Sequence, residues 1–156
     1  MANDSIINLM SAHHRLLEAM LSVFKENLGK NSQRAAEALE HLQWEQEKHI
    51  FGEEKVIFRF CRQDDPEACE LVKKLEEEHT IILEMLGDLK DASFAESEAS
   101  VENIQKLIVR HRELEEKKLY PLLDRVLSAE TKQEIIQSIE KVREQLKTEL
   151  EDKLQT

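Results

Sequence analysis

Glycine, proline and aromatic residues are scarce in this chain of 156 residues. It contains three glycines, two prolines and 4% aromatic residues. A sheet fold needs turn residues between its strands and is enriched in β-branched and aromatic side chains. Because these are few, while Glu, Lys, Leu and Ala are abundant, the composition favours an all-α fold. The length suits one domain with a hydrophobic core.

An excess of positive charge and long apolar runs are also lacking. The formal net charge is −11, which argues against nucleic acid or an anionic membrane surface as a partner, because phosphates are bound by basic faces. No apolar run approaches the roughly 18–20 residues of a membrane span, and the N-terminus does not resemble a secretory signal. Two cysteines, Cys61 and Cys69, are too few for a disulfide scaffold. We therefore expect a cytoplasmic, reducing location.

Capping and helix-breaking residues divide the chain into predicted helices. Four long helices with short connections predict an up-down-up-down antiparallel four-helix bundle, with an additional C-terminal amphipathic helix. The polar stretch that follows the third helix is predicted to be a loop, with Ser97 or Ser100 as the next cap. Pro121 is expected to kink or break the fourth helix. The predicted helices span about residues 5–28, 32–62, 66–90, 99–127 and 128–156.

The chain also contains an internal repeat. Residues 13–20 (HHRLLEAM) match residues 79–86 (HTIILEML), and residues 49–58 (HIFGEEKVIF) match residues 111–120 (HRELEEKKLY). The first two helices therefore form a pair that the third and fourth helices repeat. Four of the six histidines lie in register within this repeat, which marks them as candidates for a common site.

Helical periodicity predicts which of these residues face the bundle interior. His13 lies near the centre of the apolar face of the first helix, whereas His14 lies farther round the helix and is the alternative. A histidine and a glutamate four residues apart lie on one helix face, and this spacing occurs on the second and fourth helices. The predicted inward set is His13, His49, Glu53, His79, His111 and Glu115.

Two glutamates in an apolar core call for a cation, because an unpaired buried carboxylate costs several kcal/mol. Four imidazoles and two bridging carboxylates supply each of two metal ions with two nitrogens and two oxygens. Mixed ligation with open positions suits iron or manganese, whereas structural zinc more often uses cysteine. We predict two non-haem iron ions with an oxo or hydroxo bridge, and manganese or zinc as substitutes.

These motifs resemble those of the hemerythrin-like (HHE cation-binding) family over about residues 5–127. The resemblance implies a four-helix bundle with a di-iron centre that meets dioxygen, nitric oxide or peroxide. Oxygen-carrying hemerythrins have a fifth histidine one turn from the ligand on the third helix, where this chain has Leu75 and Leu83. The set of four histidines and two glutamates is more similar to that of bacterial iron-centre repair proteins and of iron or oxygen sensors.

The resemblance implies a protein that binds, senses or detoxifies dioxygen, nitric oxide or related species. Two alternatives are a di-iron oxidase or reductase and an iron-handling or iron-centre repair protein, so the sequence leaves enzyme activity open. A metal-free helical interaction module is a further alternative. We divide the chain into a metal-binding bundle (residues 1–127) and a C-terminal helix (128–156) that packs on the bundle or associates with a second copy or another protein.

Five further residues are assigned lesser roles from the sequence. Glu54 and Glu116 are predicted to be solvated and to pair with neighbouring lysines. Tyr120 is predicted to be an aromatic residue at the boundary of the core, with hydrogen-bond donation to the centre as the alternative. Cys61 is predicted to be an inert thiol, as is the second cysteine.

Overall fold

The computed structural model describes residues 5–61 and 65–155, with side chains described as far as residue 144. These residues form five helices and, within the described ranges, no strand, so the predicted all-α bundle is confirmed. Two of the helices contain a π-helical turn. The helices are α1 (Ile6–Asn27), α2 (Ser32–Gly52, the π turn Glu53–Ile57 and Phe58–Cys61), α3 (Pro66–Leu89), α4 (Phe94–Leu114, the π turn Glu115–Leu119 and Tyr120–Val126) and α5 (Ala129–Gln155).

The first four helices each begin at a polar capping residue. The side chains of Ser5, Asn31, Asp65 and Ser93 accept hydrogen bonds from main-chain amides in the first turns that follow them. Such caps satisfy amides that have no partner within the helix. After α1 the chain turns at Gly29, which has a φ of 74°, a left-handed conformation that glycine adopts without strain.

The start of α4 differs from the prediction. This helix begins at Phe94 rather than near residue 99, so most of the predicted loop is helical. The Ser93 hydroxyl accepts a hydrogen bond from the Glu96 amide at 3.2 Å and donates one to the Glu96 carboxylate at 2.9 Å. Because this local capping interaction starts the helix at Ser93, the later serines that were predicted to act as caps lie inside it.

The predicted break at Pro121 does not occur, and α4 continues through this residue to Val126. A π turn ends at Leu119, two residues before Pro121, and the Tyr120 amide donates to the Glu115 carbonyl five residues earlier. The backbone hydrogen bonds are therefore already out of α-helical register where the missing N–H of proline falls.

Two apolar clusters form the core, and a layer of polar side chains separates them. On α1, for example, His14 lies between Met10 of one cluster and Leu17 of the other. The other three bundle helices repeat this order, with a histidine between apolar residues of the two clusters. The first cluster includes Met10, Ile57, Leu75 and Leu119, and the second includes Leu17, Leu42, Ile82 and Ile108.

Helix α5 covers the bundle beside this polar layer. It packs against α1, α2 and the π turn of α2, and it buries Ile135, Ile136 and Ile139. A Cβ atom on Gly52 would lie 3.0 Å from the Ile139 Cδ1 atom, so glycine allows α5 to approach α2 closely at this point. None of the described helices is long and apolar enough to span a membrane.

Candidate metal centre

The two glutamates of the repeat occupy equivalent positions in the structure. Glu53 begins the π turn of α2, and Glu115 begins the π turn of α4. Both side chains are fully buried, at 0% exposure. Single π turns within α-helices are frequent at functional sites, and here both of them position a carboxylate in the polar layer of the core.

Four histidines converge on these carboxylates from α1 to α4. They form two groups that share both glutamates, and within each group the ligand atoms all lie within 4.8 Å of one another. All members are buried. The first group comprises His14, His49, Glu53 and Glu115, and the second comprises Glu53, His79, His111 and Glu115.

The contacts between these groups fit a metal site better than a hydrogen-bonded core. The Nε2 atoms of His14 and His111 lie 3.2 and 3.3 Å from the Glu115 Oε1 atom, and the Nε2 atom of His79 lies 3.2 Å from the Glu53 Oε1 atom. Despite these distances, none of the five buried atoms makes a well-formed hydrogen bond. Buried polar groups are normally satisfied, so lone pairs directed at shared cations explain the arrangement.

The pKa shifts of the metal-free chain also indicate a site that needs positive charge. Burial opposes the charging of His14, but the Glu115 carboxylate beside it raises the pKa of His14 to about 9. Burial also opposes the charging of His111, whose pKa Glu115 raises to about 10. Burial acts to raise the pKa of Glu53, and His49 together with its other neighbours holds that pKa well below its usual value. Bound protons thus supply positive charge that metal ions would supply instead.

Three of the four histidines carry a carboxylate on the ring nitrogen that faces away from the centre. Such a partner orients the ring and increases the basicity of the nitrogen that ligates a metal. These outer carboxylates come from three different positions in the bundle. The Nδ1 pairs are His14 with Glu116 at 2.9 Å, His79 with Glu54 at 3.3 Å and His111 with Glu78 at 2.9 Å.

The roles predicted for Glu54 and Glu116 are therefore wrong. Both lie next to cluster histidines, and Glu116 also accepts a hydrogen bond from the Ser11 hydroxyl at 2.7 Å. The signal was present in the repeat, since both copies contain Glu-Glu rather than a single glutamate. Glu78 was missed altogether, because no counterpart precedes the histidine of α1.

The structure places His14, and not His13, with the other members of the predicted set. The remaining five predicted residues do lie in the cluster. The buried face of α1 includes Leu21 rather than Met20, which turns the centre of that face toward His14. His13 is buried too, but its Nε2 atom accepts a hydrogen bond from Arg143 of α5 at 2.7 Å. Burial and the Arg143 charge lower the pKa of His13 to about 3.

Tyr120 lies in the metal centre rather than at the boundary of the core. Its side chain is fully buried, and its hydroxyl contacts the carboxylates of both Glu53 and Glu115, the latter at 3.0 Å. Burial and the two carboxylates raise the pKa of Tyr120 well above its usual value. The phenol therefore stays protonated and donates a hydrogen bond, as the alternative interpretation of the sequence proposed.

The donor set determines what the centre is suited to bind. Each group offers two imidazole nitrogens and oxygens from two shared carboxylates, and neither group contains a cysteine. Such mixed ligation suits iron or manganese, whereas closed structural zinc sites favour sulfur. Cys61 belongs to the first apolar cluster, and burial raises the pKa of its thiol to about 12.

Comparison with known proteins agrees with this geometry. The model of the hemerythrin HHE cation binding domain matches residues 5–123, a span that contains all four cluster histidines and both glutamates. Comparison with curated proteins and with solved structures gives no match. Because this family model matches most of the chain, the chain belongs to the hemerythrin HHE cation-binding domain family.

Proposed function

We propose that this protein binds two non-haem iron ions in the buried centre and uses them to bind, sense or detoxify dioxygen, nitric oxide or a related species. The observation that supports this most strongly is the pair of four-ligand groups that share Glu53 and Glu115. Two groups with common carboxylates suit a pair of adjacent ions. Iron, when bound, supplies redox chemistry and coordination positions that are open to a small ligand.

The residues of the chain have separate parts in this proposal. His14 and His49 would hold one ion, His79 and His111 would hold the other, and Glu53 and Glu115 would serve both. Tyr120 donates a hydrogen bond to these shared carboxylates. The apolar clusters on either side of the layer keep bulk water out of the centre.

Iron content and the optical spectrum test the proposal. The protein is reconstituted with ferrous iron under anaerobic conditions, freed of excess metal and exposed to air. We expect two irons per chain, one for each group, with near-ultraviolet charge-transfer bands of a coupled ferric pair. If the helical fold is intact and no iron is taken up, the proposal is wrong.

The two adjacent histidines of α1 provide a matched pair of variants. His14→Gln removes a side chain of the cluster, whereas His13→Gln makes the same chemical change one residue away, outside the cluster. We expect the first variant to lose iron and the second to retain it. The reverse result would show that the site assignment on α1 is incorrect.

Stopped-flow mixing separates binding from turnover. The diferrous protein is mixed with dioxygen, nitric oxide or peroxide, and the consumption of each is compared with the amount of protein. Adduct formation that stops at the stoichiometry of the centres supports a binding or sensing role, and consumption over many turnovers supports detoxification. His14→Gln provides the background for both measurements.

A further inference from the structure

The side of the metal centre on which His49 lies, called the His49 side, differs from the sides on which the other three cluster histidines lie. A cavity of about 10 Å³ adjoins it, which approaches the smallest volume able to hold one water molecule. A cluster histidine lines it, together with a residue of α5 whose side chain is 35% exposed. The cavity is lined by His13, Leu16, Leu17, Glu45, His49 and Arg143.

The Nδ1 atoms of the other cluster histidines are occupied. Carboxylates bind those of His14, His79 and His111. By contrast, the Nδ1 atom of His49 has no hydrogen-bond partner among the described residues. Ring contacts do not distinguish His49, since its ring lies 6.1 Å from that of His13 and 4.8 Å from that of His14. The distinguishing feature of the His49 side is therefore an outer ring nitrogen that no carboxylate binds.

Charge also distinguishes this side. Arg143 lies 3.8 Å from Glu45, and Lys48 lies 2.8 Å from the same carboxylate. Two cations thus face one carboxylate next to His49. These positive charges lie on a chain whose net charge is −11, so they form a local exception to a field that repels anions.

The charges beside the other outer carboxylates are arranged differently. On the His111 side, Arg110 pairs with Glu78 at 3.3 Å and Lys74 is a second cation near that carboxylate, but the surface pocket that Arg110 lines contains no cluster residue. Beside His14, Arg112 contacts both Glu116 and Glu18, so that two carboxylates face one cation. The His49 side therefore combines an excess of positive charge with a cavity that a cluster histidine lines.

We propose that small anions reach the metal centre from its His49 side, past Arg143, and that the Arg143 guanidinium favours their entry over that of neutral molecules. This rests on the proposed function, since it requires metal in the centre. The cavity itself has room for about one water molecule, so a larger anion enters only when the partly exposed Arg143 side chain shifts. Arg143 is a specificity-determining residue in this proposal, because its charge rather than its contact with the metal sets the preference.

The wild-type protein provides the first test. Azide, a small anion, is mixed with the iron-loaded ferric protein, and its association rate is followed through its charge-transfer band at increasing ionic strength. Because the net charge is −11, a centre without local attraction would bind azide faster as salt screens the repulsion. We expect the opposite, a rate that falls with salt. A rate that rises with salt would overturn the proposal.

Variants of α5 then locate the attraction. Loss of one cation that lines the path predicts an azide association about 3–10-fold slower for Arg143→Gln at low salt. Arg143→Lys keeps the charge and should keep most of the rate. Lys141→Gln removes the same charge from α5, but Lys141 lines a different surface pocket that contains no cluster residue, so this control should leave the rate unchanged.

A neutral ligand separates charge from steric effects. The association of nitric oxide with the ferrous protein should be unchanged or faster in Arg143→Gln, so that the ratio of azide to nitric oxide rates falls. An unchanged ratio, or an equal loss in Lys141→Gln, would refute a local role for Arg143. Iron content is measured first in every sample. Wild-type protein without iron would refute the proposed function, whereas iron-loaded protein with an unchanged ratio refutes only this inference.

Discussion

The carboxylate behind His111 offers a quantitative test of how the bundle tunes its metal centre. The Glu78 Oε1 atom lies 2.9 Å from the His111 Nδ1 atom, and both side chains are 7% exposed. This burial means that water screens the interaction only weakly. A carboxylate in this position orients the imidazole and makes its other nitrogen a stronger ligand, and loss of such a partner typically lowers metal affinity 10–100-fold.

Two substitutions divide this effect into its parts. Glu78→Gln retains an oxygen that accepts from His111 but loses the charge, so we expect about a 10-fold loss of affinity. Glu78→Ala removes both the charge and the acceptor, and we expect a loss nearer 100-fold, equivalent to about 2.7 kcal/mol. The loss should fall on the ion held by His79 and His111, while the ion held by His14 and His49 keeps its affinity.

Anaerobic competition with a chromophoric chelator measures both binding steps for ferrous or cobaltous ions. Glu113→Gln is the matched control, since Glu113 is in α4, the helix of His111, has a side chain that is 48% exposed and lies 3.9 Å from Lys117, at the limit of an ion pair. We expect this control to bind both ions as the wild type does. Unchanged affinities in both Glu78 variants, with two metals still bound, would refute the reasoning.

Four further predictions concern stability and reactivity. Tyr120→Phe removes a donor to two buried carboxylates and should lower the free energy of unfolding of the metal-free protein by about 1.5–3 kcal/mol. Urea titration should show a smaller loss in the metal-loaded protein. An equal loss in both forms would contradict the role of the hydroxyl. Asp124→Ala removes the carboxylate whose two oxygens accept from the first two amides of α1 at 2.9 and 3.2 Å and should lower the free energy of unfolding by about 0.5–2 kcal/mol. Asp124→Asn keeps one acceptor oxygen but turns a donor toward the other amide, so thermal melts should show only partial recovery. The raised pKa of Cys61 keeps its thiol protonated at pH 8. Iodoacetamide should therefore modify Cys69 before Cys61, and peptide mass spectrometry measures this order. The reverse order would show that Cys61 is not buried. Chelation should lower the thermal midpoint, since metal at 100 times its dissociation constant adds about 2.7 kcal/mol to the stability of the folded state; equal midpoints with and without metal would contradict a metal-linked fold.

The sequence alone determined the bundle and most of its polar layer. Scarce glycine and proline, together with helical periodicity, predict the long helices, which the structure confirms. Histidine and glutamate four residues apart lie on one face of any α-helix, so His49 with Glu53 and His111 with Glu115 follow from local geometry. The repeat then identified His79, because it relates the third helix to the first.

Only the tertiary structure decided between His13 and His14. Both are buried in the structure, and the choice depends on what packs against each of them. Arg143 of α5 donates a hydrogen bond to His13, while Glu115 and Glu116 of α4 contact His14. These partners lie more than 100 residues away in the chain, so no local pattern on α1 contains the information.

The outer carboxylates and the π turns depended on tertiary structure for a related reason. Glu78 of α3 reaches His111 of α4, and Glu54 of α2 reaches His79 of α3. Such contacts require the relative rotation and height of two packed helices, which side-chain periodicity within one helix does not specify. The π turns at Glu53 and Glu115 change the backbone hydrogen-bond register without any helix-breaking residue inside them, and packing around the buried centre determines that register.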